Sequence, residues 1–68
     1  MRQVMLYQDE DGRWVAECPS IPGCVSDGET REESIANVKE AIEACIDALK
    51  EEGRPVPEER FNAILVAV

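Results

Sequence analysis

A chain of 68 residues with 15 Asp and Glu against 7 Lys and Arg carries a net charge of −8, which repels phosphate backbones and argues against direct nucleic-acid binding. It holds no histidine, which excludes Ser-His-Asp triads and histidine-containing zinc sites. So short a chain forms one domain and buries only about 60% of the surface its unfolded form exposes, so reinforcement is expected from a disulfide, a metal or another chain.

The first predicted element is a strand at Gln3 to Gln8, "QVMLYQ", and the second is Arg13 to Cys18, "RWVAEC". In the second, Trp14, Ala16 and Cys18 alternate with Arg13, Val15 and Glu17, and the Trp14 face is expected to look toward the core. The polar "DEDG" between them ends in Gly12, a residue suited to a tight reversal, so the two strands read as an antiparallel hairpin.

Pro19 and Pro22 cannot donate to a ladder and turn the chain out of the hairpin as a corner. Gly23 frees the backbone for a short third strand at Cys24 to Asp27, which Gly28 ends. Thr30 with Glu33 three residues later forms a capping box and opens a helix. Its apolar positions Ile35, Val38, Ile42, Cys45, Ile46 and Leu49 recur every three or four residues, and Gly53 and Pro55 stop it after about 20 residues.

Beyond "RPVPEER", the stretch Phe61 to Val68, "FNAILVAV", is expected to be a fourth strand. The predicted class is α+β in the order β-β-β-α-β. A right-handed crossover would place the fourth strand parallel to the first in a mixed four-stranded sheet with one helix on one face. Residues 1–68 read as one domain with no DNA-binding domain after it.

One helix covers only one side of such a sheet. Val4 and Leu6 face one way in strand one and Met5 and Tyr7 the other, and strand four is apolar on both sides. An apolar face without an intrachain partner marks an association surface, most simply for a second copy. The register leaves open whether Tyr7 lies under the helix or opposite it.

Cys18, Cys24 and Cys45 are the only soft ligands, and the five residues between the first two exceed the spacing of structural zinc sites, so no metal or cofactor is expected. The cysteines act either as apolar fillers or, for Cys18 and Cys24, as a redox pair across the corner. The pairs Asp9/Asp11 and Glu32/Glu33 lie where acidic residues serve solubility and the helix dipole rather than catalysis. Trp14 reads as a core aromatic or, less simply, as a recognition residue. The odd cysteine count and the lack of a signal-like or membrane-length apolar segment point to a soluble, cytoplasmic protein.

The run "YQDEDGRWVAECPSIPGCVSDGETREESIANVKEAIEACIDAL" resembles the N-terminal domain of the HicB family of antitoxins, in particular its short stand-alone UPF0150-type members. The resemblance is carried by Gly12, Trp14, Pro19, Pro22, Gly23, Cys24, Gly28, Thr30, Glu33 and the "EGRPVP" tail. It implies a partial RNase H-like fold without that enzyme's catalytic carboxylates. It also implies a non-enzymatic role in a type II toxin-antitoxin system, covering the active surface of a small, basic, mRNA-cleaving HicA-like toxin that resembles a double-stranded-RNA-binding domain. The alternative is a homo-oligomeric structural or regulatory protein, a dimer or tetramer without a toxin. On charge alone, Asp9, Glu10 and Asp11 at the hairpin tip and Glu40, Glu43 and Asp47 on the helix are the expected partner-binding residues.

Overall fold

The computed structural model describes residues 2–59 and 66–67, and over them the chain runs β1 (Met5–Gln8), β2 (Trp14–Glu17), β3 (Val25–Gly28) and α1 (Arg31–Glu51). The hairpin tip is built by Asp9. Its Oδ1 accepts from the amides of Asp11 and Arg13, both at 2.9 Å, and its own N–H donates to the Arg13 carbonyl at 2.9 Å. Gly12 completes the reversal at φ +81°, a conformation in which a side chain would be strained.

The three strands form one antiparallel sheet in the order β1-β2-β3. Leu6 stands opposite Ala16, which stands opposite Ser26, and this row faces the helix; Met5, Glu17 and Val25, and next to them Tyr7, Val15 and Asp27, form the rows of the other face. Tyr7 thus lies on the side away from the helix. Strand β1 begins at Met5 rather than Gln3, because its partner β2 has already turned into the corner beyond Glu17. The Cys18 N–H bonds instead across the corner to the Cys24 carbonyl at 2.9 Å.

That corner is a closed loop. Ile21 N–H donates to the Cys18 carbonyl at 3.2 Å and Cys24 N–H to the Ile21 carbonyl at 3.1 Å, while Gly23 adopts φ +79° to bring the chain back. Strand β3 starts one residue later than expected, at Val25, and Gly28 is its last paired residue, opposite Trp14. An added Cβ at Gly28 would stand 2.7 Å from the Ser34 amide nitrogen, so this glycine lets the strand end press against the first turn of α1.

Thr30 caps α1 in extended geometry, its Oγ1 accepting from the Glu33 N–H at 3.1 Å. The reciprocal half of the capping box is displaced by one residue: the Glu33 carboxylate accepts from the Glu29 N–H at 3.4 Å rather than from Thr30. At the other end Gly53 at φ +69° donates to the Lys50 carbonyl at 3.1 Å and Arg54 to the Leu49 carbonyl at 2.9 Å, a Schellman closure that satisfies two orphan carbonyls.

The 21-residue helix is roughly 31 Å long. A four-residue strand spans only roughly 13 Å. The helix therefore overhangs the sheet, and its later turns rest on the corner: Ala41, Ile42, Cys45 and Ile46 pack against Cys18, Ile21 and Cys24. Among the described residues Ala16, Cys18, Ile21, Cys24 and Val38 are the buried apolar ones, and Ser34 is buried with its hydroxyl donating to the Arg31 carbonyl at 2.8 Å. Trp14 shares the inward face of β2 but is only half-buried.

The described residues thus give an α+β fold of three antiparallel strands and one helix. Of the expected fourth strand at Phe61 to Val68, residues 61–65 and 68 lie outside the described residues, and Val66 and Ala67 are exposed and belong to no strand. The parallel pairing with β1, and with it the RNase H-like sheet, falls outside the described residues as well.

Candidate partner-binding surfaces

The described residues present three surfaces for contact. The first is acidic. Glu40, Glu43 and Asp47 are exposed and fall within an arc of roughly 60° on the helix at 100° per residue, opposite Val38 and the core-facing side. The hairpin-tip residues Asp9, Glu10 and Asp11 are exposed too. Among the described residues no hydrogen bond or ion pair joins the tip to the helical stripe. The members of the tip also differ: Asp9 is committed to holding the turn, which leaves Glu10 and Asp11 as its outward charges.

The second surface is the uncovered sheet face. Met5, Tyr7 and Val25 are exposed there at 40%, 47% and 50%. Arg13 flanks this face, its Nε 3.1 Å from Asp27 Oδ2 and its Nη1 4.0 Å from Glu29 Oε1. Both contacts are solvent-exposed and contribute at most about 1 kcal/mol.

The third surface is a groove of about 520 Å³ between α1 and β1, lined by Val4, Leu6, Ile35, Val38, Ile42 and Ile46 together with Lys39 and Glu43. Nothing in the sequence singled it out as a site. Its signal was the same-side placement of Val4 and Leu6 together with the helical spacing of the three isoleucines. Beside the groove, a polar clasp fastens the start of the chain to the segment after the helix. Arg2 donates to Ser20 Oγ at 3.0 Å and to the Pro57 carbonyl, and Glu59 Oε2 accepts from the Gln3 amide at 2.9 Å and from Ser20 Oγ at 3.2 Å. No pattern in the sequence foretold this clasp.

The structural motif residues each sit at a joint. Gly12 closes the tip, Trp14 and Gly28 pair across β2 and β3, Pro19, Pro22 and Gly23 shape the corner, and Thr30 with Glu33 starts the helix. Cys24 is buried beneath the helix, and burial together with the neighbouring Cys45 thiol pushes its thiol up from 9.0 to about 11. Among the described residues no group of three or more His, Cys, Asp or Glu is arranged to hold a metal ion, and no helix is long and apolar enough to cross a membrane.

By architecture this is a small α+β domain with one helix laid across an antiparallel sheet. A family model described as the HicB_like antitoxin of bacterial toxin-antitoxin systems matches residues 3–66. A UPF0150 protein of Thermoplasma acidophilum is 40% identical over 63 residues, covering 93% of this chain and 91% of that protein. A second UPF0150 protein, from Synechocystis, is 48% identical over 56 residues, covering 82% and 71%. The protein named Antitoxin HicB 2 of Photorhabdus laumondii is 30% identical over 57 residues, 84% of this chain but 41% of that longer one. No solved structure matches. The chain belongs to the HicB-like antitoxin family.

Proposed function

We propose that this chain is the antitoxin of a type II toxin-antitoxin pair, a non-enzymatic cytoplasmic module that neutralises a small, basic, mRNA-cleaving HicA-like toxin by covering its active surface. The family match over residues 3–66 carries this reading. The relative named as an antitoxin, similar over 84% of this chain, supports it. A basic ribonuclease must present cations to RNA, and an acidic partner competes for that same face.

In this reading Glu40, Glu43 and Asp47 dock as one stripe and Glu10 and Asp11 add a second point of attraction, while Asp9 preserves the tip that displays them. Opposite charge accelerates encounter and makes it salt-sensitive. The chain itself, at net charge −8, does not engage nucleic acid directly.

Two further parts of the proposal concern assembly. A fourth strand from the stretch after Glu59, parallel to β1, is assigned to complete an RNase H-like sheet in a single domain. The clasp supports this, since it delivers the chain at Pro57 and Glu59 to the start of β1. The uncovered face around Met5, Tyr7 and Val25 is assigned to self-association, as a dimer or tetramer.

The test is co-expression with the short, basic, histidine-containing product of an adjacent reading frame. The two are expected to co-purify, and the toxin's RNA cleavage is expected to stop on titration with this chain. The triple change Glu40→Lys, Glu43→Lys and Asp47→Lys should slow association at least about ten-fold at low ionic strength and flatten its salt dependence. Unchanged association kinetics in a folded variant would remove the stripe from the interface, and uninhibited cleavage would end the antitoxin reading.

A further inference from the structure

The cysteines are not used by any of the surfaces above, and their placement singles out one pair. Cys24 is 2% exposed beneath the helix, and Cys45 packs against the cluster that Cys24 forms with Cys18 and Ile21. Cys45 differs from the other two in being only half-buried. It lines a cleft of about 360 Å³ formed by the corner, the later turns of α1 and the segment after the helix, with Ile21, Pro22, Ala48 and Leu49 among its walls. Cys18, by contrast, is 1% exposed, with its Sγ 3.5 Å from the Ser20 hydroxyl.

We propose that Cys45 and Cys24 form a reversible disulfide in response to hydrogen peroxide, with Cys45 as the attacking thiol and Cys24 as the resolving one. In the first step Cys45 sulfur bonds to a peroxide oxygen as the O–O bond breaks; hydroxide leaves and takes up the thiol proton as water, giving a sulfenic acid. In the second, Cys24 sulfur attacks Cys45 sulfur, the S–S bond forms, the S–O bond breaks, and the departing hydroxide leaves as water with the Cys24 proton. Two thiols lose two electrons and one peroxide becomes two waters. The order follows from the surroundings. Burial keeps Cys24 protonated and out of reach of the oxidant, so it reacts only once its neighbour has become electrophilic. The bond would tie the corner covalently to the helix that rests on it.

The experiment treats the full chain with hydrogen peroxide at neutral pH, blocks remaining thiols and digests with trypsin without reductant. Cleavage after Arg13, Arg31, Lys39 and Lys50 puts Cys18 and Cys24 in peptide 14–31 and Cys45 in peptide 40–50. The free-thiol titre is expected to fall from three to one, with the two peptides joined and separated again by dithiothreitol. Fragment-ion sequencing of the joined species should place the bond at Cys24. Cys18→Ser should retain it, and Cys24→Ser should instead leave Cys45 as a sulfenic acid that dimedone captures. A bond within peptide 14–31, a link between two copies of peptide 40–50, a bond placed at Cys18, or three thiols surviving would each overturn the proposal.

Discussion

A methyl group added to Gly28 would meet the Ser34 amide nitrogen at 2.7 Å, and the atoms in the way, backbone of the capped first turn and the Glu33 Cβ fixed to it, cannot step aside. Gly28→Ala is therefore expected to cost about 1–3 kcal/mol in urea unfolding by overpacking. Gly23 poses the opposite problem: nothing lies within 4 Å of its missing Cβ, but its φ of +79° strains any side chain. Gly23→Ala should lose about 1–2 kcal/mol, with asparagine, which tolerates that conformation, losing less. The two glycines look alike in the sequence and differ in kind only once the neighbours of each are known. Thr30→Ala should cost about 1 kcal/mol through the lost bond to the Glu33 N–H.

Among the elements, the hairpin, the corner, the third strand and the helix were legible because each rests on local chemistry: alternation in "RWVAEC", two prolines, and a hydroxyl three residues before a carboxylate. The ends of the strands were not, because pairing stops where a partner turns away, and Gln3 and Val4 carry no mark that β2 has gone at Cys18. The contact between Cys24 and Cys45 was equally hidden, being set by how the helix lies over the corner. It has a consequence for alkaline stability. As pH rises from 9 towards 11 the unfolded chain gives up the Cys24 proton before the folded one does, so the contribution is complete below about 9 and is lost on the way to about 11. Urea midpoints measured across that range should decline, and the decline should be shallower in Cys24→Ala.

For the whole molecule, the sequence posed an imbalance: one helix cannot cover both sides of a sheet, and strand one carries apolar residues on both. In the structure Met5, Tyr7 and Val25 are exposed on the face opposite α1, in rows that also hold Glu17 and Asp27. What the sequence alone could not supply was the face on which Tyr7 lies, because one residue of register would have moved it beneath the helix. If this face joins copies of the chain, Tyr7→Lys with Val25→Lys should convert the assembly to single chains by sedimentation at micromolar concentration while leaving the helical circular dichroism intact. An unchanged mass would mean that these side chains face water in solution.

The overhang of α1 beyond the strands also decides where the chain can grow longer. Glu10 and Asp11 are exposed at the hairpin tip, so insertions there should be absorbed with little loss of stability. The loop from Cys18 to Cys24 has no such freedom: it serves as the floor beneath the far half of the helix, and lengthening it by even one residue would shift Ile21 from under Cys45 and Ile46. Variation in length should thus gather at the tip and leave the corner at a constant span.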